Sequence, residues 1–591
     1  MKRLKKLAAL VLAAVMVLSM EMTAFAADEA SIVINGTKAG QKIEAYRMFT
    51  AVKTGMNDEG AATVDYTLET AFEDFFTSAA KYGCQNKTDA ALSEAAVDYV
   101  STIQRGDSTE KVTFAKEVLA WIIKTIKSDA NALDTVKITT EATGNTATLS
   151  NLPYGMYVIY PYGASDTVNV TESTNKEKSP AMIVTVADST PKSINMKSTY
   201  PTVDKEIISP VEDDPDYNVG GSGGIVVDDS WEGNHNMGID SVPNPDAPGL
   251  YNADTRAVDT PSKAGDFQVG DEVTFQLTAT VPDMTGFTDY TFKFHDTLSD
   301  GLDFKSIISV TVGDEVVKPS DADNAGNLTY TPVLNGKELT ITLNNFFSQY
   351  KDKVGQTITV IYTAVLNEDA VVGMDPNTNE ANVEFSNDPT TNTTDKSETD
   401  KVEVHTFDFT IFKYAIENTA ETPLDGAKFE LYTDEACTSA KQIELVKLDD
   451  NTWRVATEDD TTKTNTITTP SNGKVQIKGL ASGTYYLKET VAPNGYHKLT
   501  APIKVEIIPK YDETTGKLTS YAVRYTYNGT TAESASNAEG TSPEVKVENK
   551  DGTILPDTGG MGTVIFTVAG IALILGVGAS FVISRKKRDA R

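Results

Sequence analysis

An acidic residue stands at a position that the sequence predicts to be buried. The stretch YYLKETVAPNGY, residues 485–496, alternates with the period of two that is typical of a half-buried strand. This alternation places Glu489 on the same face as Tyr485 and Leu487. Because an unpaired buried charge is costly, such a carboxyl group either becomes neutral or has polar partners. We therefore expect partners for Glu489 inside the same core.

Two other strands of the same part of the chain predict those partners. In FDFTIFKYA, residues 407–415, the alternation places Lys413 on the apolar face. In VKVENK, residues 545–550, Asn549 falls on the apolar face in the same way. A lysine and an asparagine are thus predicted to point into the core that holds Glu489.

Lysine, glutamate and asparagine that are buried together can form a covalent bond. Burial lowers the pKa of an amine and raises the pKa of a carboxyl group, so that a neutral amine can face a protonated acid. The amine is then a nucleophile, and the acid can polarise the carboxamide and move protons. The products are a Lys–Asn isopeptide bond and ammonia. The alternative is an ordinary buried ion pair, which often stabilises a core no better than apolar packing does.

A second set of the same chemical types precedes the first. Lys205 in YPTVDKEI, Asp296 in YTFKFHDTL and Asn379 in NEANVEFSN each fall on the apolar face of an alternating segment. Asn387, at the end of the last segment, is an alternative to Asn379. The sequence therefore predicts two separate sites, one with aspartate and one with glutamate.

The segment 485–496 resembles a known motif. It matches the E-box, YxLxETxAPxGY, of the CnaB-type domains in sortase-assembled major pilins of Gram-positive bacteria at every specified position. In those domains the glutamate promotes a bond between a lysine on the first strand and an asparagine on the last. The resemblance implies these roles for Glu489, Lys413 and Asn549. The earlier set resembles the CnaA-like middle domain of the same pilins, in which aspartate replaces glutamate.

The two ends of the chain predict export and anchoring. Residues 1–26 combine a basic head, an apolar run and a cleavage site, Ala24-Phe25-Ala26, which is typical of a secretory signal peptide. Residues 561–583 form an uncharged apolar segment that is long enough to span a bilayer as a C-terminal transmembrane helix. The basic tail, 584–591, predicts that this end lies in the cytoplasm and the rest outside the cell.

A sorting motif lies directly before the predicted span. It consists of Leu555, Pro556, Asp557, Thr558 and Gly559 and resembles the LPxTG signal of Gram-positive surface proteins. In that family sortase cuts between threonine and glycine and joins the threonine to an amine. The resemblance implies sortase, peptidoglycan and neighbouring pilin subunits of a covalent homopolymer as partners. The alternative is an ordinary membrane-tethered ectodomain.

A covalent polymer also needs an acceptor lysine on each subunit. Family members commonly carry this lysine in a VYPK motif at the end of the first domain, but the corresponding region here reads PKSINMKSTYPTVDK. We predict Lys197, because it points outward if Ile194 and Met196 point inward, and Lys192 is the second choice. Either could instead be a solvated surface lysine. Lys205 is excluded because it is predicted to point inward.

The segments that surround these motifs predict a mainly β protein built from tandem Ig-like β-sandwiches of the CnaA and CnaB types. The predicted domains are 27–199 with a helical insertion, 200–405 with an acidic insertion at 209–264, and 406–551. The helical periodicity covers 67–82, 88–105 and 109–128. An L-x-x-G-x-Y pattern occurs in both the first domain, at 152–157, and the third, at 480–485.

Composition disfavours several other functions. The net charge of −32 disfavours nucleic acid and anionic lipid as partners. The two cysteines, Cys84 and Cys437, provide no disulfide framework. The sequence GGSGG at 220–224 has the GxSxG form of an esterase but lacks a strand–turn–helix context. The four histidines lack metal-ligand spacing. We therefore expect no metal, no cofactor and no turnover enzyme.

Two functional hypotheses remain. The first is the backbone subunit of a cell-surface pilus that supports adhesion and is anchored to the cell wall. The second is a monomeric LPxTG-anchored adhesin, with the acidic insertion as the surface that binds a host ligand. Formation of SDS-resistant polymers with a pilus sortase distinguishes the two.

Overall fold

The computed structural model describes residues 30–56, 62–106, 108–164, 166–167, 180–196, 198–208, 263–320, 328–512, 515–536, 538 and 540–550. The predicted signal peptide, almost all of the predicted insertion 209–264, the GxSxG segment and the sorting motif lie outside these residues. The protein is mainly β, and its sheets lie in an N-terminal region, 30–199, a middle region, 200–405, and a C-terminal region, 406–550.

The N-terminal region combines sheets with helices. Its strands are β1 Ala30–Asn35, β2 Lys42–Met56, β3 Ala62–Leu68, β4 Lys137–Glu141, β5 Thr146–Leu152, β6 Gly155–Pro161, β7 Asp166–Thr167, β8 Met182–Val186, β9 Lys192–Asn195 and β10 Ser198–Thr199. They form sheets in the orders β5-β1-β9, β3-β2-β6-β8 with β4 on β2, and β10-β7. The helices are α1 Glu73–Thr77, α2 Asp89–Arg105 and α3 Ser108–Ser128.

The helices cover one face of the β2-containing sheet. Phe75 of α1, Leu92 of α2 and Val118 of α3 share a buried cluster with Phe49 and Val158 of that sheet. Two of the segments with helical periodicity correspond to α2 and α3. The third, 67–82, contains the short α1 and two single 3₁₀ turns, because β3 extends to its start and a left-handed glycine follows it.

The middle region contains two large sheets. Its strands are β11 Asp204–Ile208, β12 Ala264–Asp266, β13 Glu272–Thr280, β14 Phe292–Leu298, β15 Leu302–Val312, β16 Glu315–Val316, β17 Lys318–Pro319, β18 Thr329–Asn335, β19 Glu338–Asn344, β20 Thr357–Leu366, β21 Asn377–Ser386, β22 Thr394–Lys396 and β23 Asp400–His405, with the helix α4 Phe346–Tyr350. One sheet has the order β11-β13-β20-β15-β16. The other has the order β12-β23-β21-β14-β19-β18-β17, with β22 on β21.

The C-terminal region also contains two sheets. Its strands are β24 Phe407–Glu417, β25 Ala420–Pro423, β26 Lys428–Tyr432, β27 Leu445–Lys447, β28 Thr452–Val455, β29 Ile467–Thr468, β30 Lys474–Leu480, β31 Gly483–Val491, β32 Ile503–Tyr511, β33 Leu518–Tyr527, β34 Thr530–Ser536 and β35 Glu544–Glu548. One sheet has the order β25-β24-β30-β28-β27 with β35 on β24. The other has the order β29-β26-β31-β32-β33-β34.

Strand pairing decides which functional residues become neighbours. In the C-terminal region the first strand, β24, pairs in parallel with the last, β35, and Lys413 lies opposite Val547. In the middle region β14 and β21 are neighbours in one sheet, while β11 belongs to the other. Each buried lysine therefore lies on a different sheet from the acid of its site.

The repeated L-x-x-G-x-Y pattern forms the same local structure twice. Tyr157 Oη donates to the Pro153 carbonyl oxygen at 2.5 Å, and Tyr485 Oη donates to the Ala481 carbonyl oxygen at 2.9 Å. In both cases the tyrosine reaches back four residues to the turn before its strand. The glycine of the first copy, Gly155, lies so close to β2 that an added Cβ would meet a backbone oxygen at 2.4 Å. The pattern thus fixes the entry of the strand that carries Glu489.

The middle and C-terminal regions share one continuous hydrophobic cluster. It includes Val269 and Phe275 of the middle region and Phe407 and Leu480 of the C-terminal region. No helix within the described residues is long and apolar enough to cross a membrane, and the predicted span 561–583 lies outside them. Both cysteines are free.

Candidate functional site

The C-terminal region brings together the three residues that the alternation predicts. Lys413 of β24, Glu489 of β31 and Asn549 after β35 are all buried, with at most 2% of each residue exposed. Lys413 Nζ lies 3.3 Å from Glu489 Oε1. Asn549 Nδ2 donates to Glu489 Oε2 at 3.4 Å and to the His497 carbonyl oxygen at 2.9 Å. The carboxyl group therefore lies between the amine and the carboxamide.

Backbone groups hold this site in place. The Leu499 N–H donates to Glu489 Oε2 at 2.7 Å, and Lys413 Nζ donates to the Val547 carbonyl oxygen at 3.3 Å. The Asn549 N–H donates to the Tyr414 carbonyl oxygen at 2.9 Å, which continues the pairing of the first and last strands. Both ends of the proposed bond are thus fixed by the sheet that contains them.

Burial changes the acid–base properties of Lys413. Desolvation lowers the pKa of Lys413 to about 8, although the neighbouring Glu489 acts in the opposite direction. A lysine with this pKa is partly neutral near neutral pH, whereas an exposed lysine has a pKa of about 10.4. Lys413 can therefore act as a nucleophile inside the core.

The middle region contains a second site with the same chemical groups. Lys205 of β11, Asp296 of β14 and Asn379 of β21 have no exposed surface. Lys205 Nζ pairs directly with Asp296 Oδ2 and lies 5.0 Å from the centre of the Phe275 ring. Desolvation lowers the pKa of Lys205, and the charge of Asp296 opposes that effect.

A fourth residue completes the middle site. Tyr362 of β20 accepts a hydrogen bond from Lys205 Nζ at 2.5 Å and one from Asn379 Nδ2 at 2.7 Å, and it donates to Asp296 Oδ2 at 2.7 Å. Sequence reasoning did not select Tyr362. The available signal was a hydroxyl group on the apolar face of TITVIYTAVL, which includes Val360 and Ala364.

In each site, one carboxyl oxygen and the carboxamide oxygen of the asparagine have no hydrogen-bond partner. Within the described residues, these atoms are Glu489 Oε1 and Asn549 Oδ1 in one site and Asp296 Oδ1 and Asn379 Oδ1 in the other. A buried polar atom without a partner costs about 1–3 kcal/mol. Each site therefore holds its carboxamide oxygen at an energetic cost, whereas Glu489 Oε1, although it has no hydrogen bond, lies 3.3 Å from Lys413 Nζ.

The remaining predicted residues lie elsewhere. Asn387 follows the end of β21, and its Oδ1 accepts a hydrogen bond from Thr393 Oγ1 at 2.7 Å, away from Lys205. Lys192 begins β9, is partly exposed and lies 3.8 Å from Asp188. Lys197 lies outside the described residues. No group of three or more potential ligands in the described part of the chain could hold a metal ion.

Comparison with known proteins gives two matches to family models. Residues 408–523 match the prealbumin-like fold domain called SpaA, and residues 548–590 match the LPXTG cell wall anchor motif. The first match includes Lys413 and Glu489, and the second includes Asn549 and Thr558.

Individual relatives cover most of the chain. The Trypsin-resistant surface T6 protein of Streptococcus pyogenes serotype M6 is 24% identical over 433 residues, which is 63% of this chain and 74% of the relative. The structure of the T6 backbone pilin of serotype M6 Streptococcus pyogenes covers 89% of this chain and 98% of that chain, with 16% identity and a TM-score of 0.43. The match to the structure of the full-length major pilin SpaD of Corynebacterium diphtheriae covers 89% of this chain and 98% of the SpaD chain, with 15% identity and a TM-score of 0.38.

The chain carries an LPXTG cell wall anchor and is similar to a streptococcal surface protein and to major pilins of Gram-positive bacteria. Its LPXTG anchor places it on the surface of a Gram-positive bacterium. Leu555, Pro556, Asp557, Thr558 and Gly559, which the sequence predicts as the sorting motif, lie inside the anchor match. The middle site lies before the anchor match, and the C-terminal site ends at Asn549, which is the second residue of that match.

Proposed function

We propose that this chain is the backbone subunit of a covalently polymerised pilus. We also propose that its middle and C-terminal regions each form one intramolecular Lys–Asn isopeptide bond autocatalytically. One observation carries the proposal. Two separate sites, one in the middle region and one in the C-terminal region, each bury a lysine beside a carboxyl group and within a hydrogen-bonded cluster that includes an asparagine. The proposed bonds join Lys413 to Asn549 and Lys205 to Asn379.

The chemistry follows from the positions of the groups. Each lysine passes a proton to the adjacent acid, and the neutral amine attacks the side-chain carbonyl carbon of the asparagine. The new Nζ–Cγ bond replaces the Cγ–Nδ2 bond, and ammonia leaves. A folded core supplies the high effective concentration that amide exchange needs, since both groups are held on fixed strands. Glu489 and Asp296 are the groups that promote the two reactions.

An ordinary structural role explains the sites less well. A buried ion pair often contributes no more than apolar residues of the same size. Two such pairs, each with an asparagine and unpartnered oxygens, would destabilise both cores without an evident return. Covalent bond formation removes the charge on the lysine and consumes the carboxamide, so it explains why these groups are buried together.

Intact-mass spectrometry of the recombinant ectodomain tests the bonds. We expect a mass that is lower than the sequence mass by two ammonia molecules. Glu489→Ala and Asp296→Ala should each be lighter than their own sequence mass by only one ammonia molecule, because each substitution removes the acid of one site. Glu506→Gln, a change at another buried carboxylate, should still be lighter than its own sequence mass by two ammonia molecules. Folded wild-type protein with the unmodified mass would refute the proposal.

Polymerisation is tested separately in a Gram-positive host that expresses a pilus sortase. We expect an SDS-resistant ladder that Thr558→Ala abolishes, because the threonine supplies the acyl group. Lys197→Ala should also abolish the ladder, while Lys192→Ala should leave it intact. The opposite result for the two lysines would assign the acceptor to Lys192. A single anchored band from every variant, including the wild type, would favour the monomeric adhesin.

A further inference from the structure

The middle site contains a hydroxyl group at the point where all three reactive side chains meet. We propose, on the basis of the proposed function, that Tyr362 is a catalytic residue of the middle site that passes a proton to the leaving nitrogen of Asn379. Its oxygen contacts the attacking nitrogen, the leaving nitrogen and the acid at 2.5–2.7 Å.

The position of this hydroxyl group is fully determined. A tyrosine hydroxyl has one hydrogen to donate and two lone pairs that accept. Tyr362 donates to Asp296 and accepts from both Lys205 and Asn379, so all three positions are used. Its ring is buried and stacks on Phe275 with 5.3 Å between the ring centres. The hydroxyl group is therefore held at the reacting atoms by packing as well as by hydrogen bonds.

The two sites show why a tyrosine is needed in only one of them. In the C-terminal site the longer acid, Glu489, accepts a hydrogen bond directly from Asn549 Nδ2. In the middle site the acid is an aspartate, which is shorter by one methylene group. Among the described hydrogen bonds none joins Asp296 to Asn379, and Tyr362 connects them. Aspartate and tyrosine together thus span the distance that glutamate spans alone.

The proton transfer balances. Starting from a neutral amine, the attacking nitrogen of Lys205 must lose one hydrogen and Nδ2 of Asn379 must gain one. In the tetrahedral intermediate Nδ2 is an amine with a free lone pair, so its hydrogen bond with the hydroxyl group can reverse direction. Tyr362 gives its hydrogen to Nδ2 and takes one from Asp296, which takes one from Nζ. The Nζ–Cγ bond forms, the Cγ–Nδ2 bond breaks, and ammonia leaves.

Tyr362 acts in its neutral form. Burial, together with the charge of Asp296, raises the pKa of Tyr362 well above its usual value. The hydroxyl group therefore keeps its proton until the leaving nitrogen can accept it. At the end of the reaction Tyr362 again carries its hydrogen, and Asp296 keeps the proton that the ammonium form of Lys205 gave up at the start.

The test is the rate of ammonia loss in Tyr362→Phe. The full ectodomain is made by cell-free synthesis, sampled over time and analysed by intact mass and by mapping of the cross-linked peptides. We expect the Lys205–Asn379 bond to form about 10²-fold more slowly or worse, because removal of a general acid–base group has an effect of this size. The Lys413–Asn549 bond should form at the wild-type rate. This second bond is an internal control for folding and synthesis.

Tyr350→Phe is the matched control. Tyr350 is also fully buried in the middle region, but its hydroxyl group donates to Glu315 at 2.8 Å, outside the site. This variant should form both bonds at the wild-type rate. Formation of the Lys205–Asn379 bond at the wild-type rate in Tyr362→Phe would overturn the inference and leave the proposed function intact. Absence of both bonds from the wild type would instead refute the proposed function.

A double variant gives a second test. Replacing Asp296 by Glu in the Tyr362→Phe background provides an acid of the length found in the C-terminal site. We expect this change to restore at least about tenfold of the lost rate, as the longer acid reaches Nδ2 directly. A folded double variant that forms the bond no faster than Tyr362→Phe would contradict the explanation based on reach.

Discussion

Two lysine amines without exposed surface distinguish these cores from those of ordinary β-sandwiches. Burying an ammonium ion is so costly that the group either loses its proton or keeps a close counter-charge. Lys413 does both in part, because burial lowers its pKa to about 8 while Glu489 remains 3.3 Å away. Burial of the Lys413 amine is thus the cause both of its reactivity and of its unfavourable contribution to the stability of the fold.

This cost predicts a pH dependence in protein that cannot form the bond. Asn549→Ala keeps Lys413 and Glu489 but removes the carboxamide. The folded pKa of Lys413, about 8, lies below the unfolded value of about 10.4, so the unfolded state binds more protons between these values. The free energy of unfolding should therefore be lowest below pH 8 and should rise by about 3 kcal/mol as the pH increases from 8 to above 10. Chemical unfolding followed by the fluorescence of buried Trp453 measures it.

Two proteins serve as controls for this pH dependence. In Asn549→Ala with Lys413→Met the titrating amine is absent. The free energy of unfolding should then vary with pH only through the other titratable groups. In the wild type the proposed bond would make the amine part of an amide, which should remove the same contribution. Equal slopes in all three proteins would show that Lys413 does not titrate in the core.

Sequence alternation could predict most of the site residues, but not all. It places Lys413, Glu489 and Asn549 on inward faces because a period of two depends only on the parity of each position. Parity cannot show where a strand ends, which is why Asn379 and Asn387 are equivalent in the sequence. In the structure β21 ends at Ser386, and Asn387 leaves the sheet. Tyr362 was missed because buried tyrosines are common and their hydroxyl partners depend on facing strands.

At the level of elements, the two proposed bonds differ in which strands lie within the segment of chain that each bond closes into a loop. The bond from Lys413 to Asn549 would join the first and last strands, β24 and β35, which already pair in parallel. Tension between the ends of this region would then pass through the bond and leave the sheets between them unloaded. The bond from Lys205 to Asn379 would leave β23 outside the closed loop. That strand is held by hydrogen bonds to β12 and β21.

The repeated tyrosine turn shows which element-level features the sequence can reveal. Tyr157 and Tyr485 make the same hydrogen bond because both follow the spacing L-x-x-G-x-Y, which is a local pattern. The pairing of β24 with β35 is not local, since more than a hundred residues separate the two strands. Their contact is determined by the packing of both sheets and could be predicted only through the resemblance to pilins.

At the scale of the whole molecule, the middle and C-terminal regions form one continuous unit. Their hydrophobic residues belong to a single cluster, and hydrogen bonds cross the junction. The Ser482 N–H donates to Asp266 Oδ1 at 2.6 Å, and the Val269 N–H donates to the Gly479 carbonyl oxygen at 3.0 Å. These contacts link β12 and the residues that follow it to the end of β30 and to the turn that leads into β31. A pilus shaft requires such junctions, because load passes from one region to the next.

Asp266 contributes a buried side-chain hydrogen bond to this junction. It has no exposed surface, and burial raises its pKa to about 7. Asp266→Ala would leave the Ser482 N–H buried without an acceptor, at a cost of about 1–3 kcal/mol. At pH 8, where the wild-type carboxyl group is charged, we expect the Ser482 and Val269 amides to exchange with solvent roughly 10- to 100-fold faster in the variant, since 1.4 kcal/mol corresponds to tenfold. Asp266→Asn keeps a carbonyl acceptor and should change less, and the exposed Asp425→Ala should change nothing. Unchanged exchange in Asp266→Ala would show that apolar packing alone holds the two regions together.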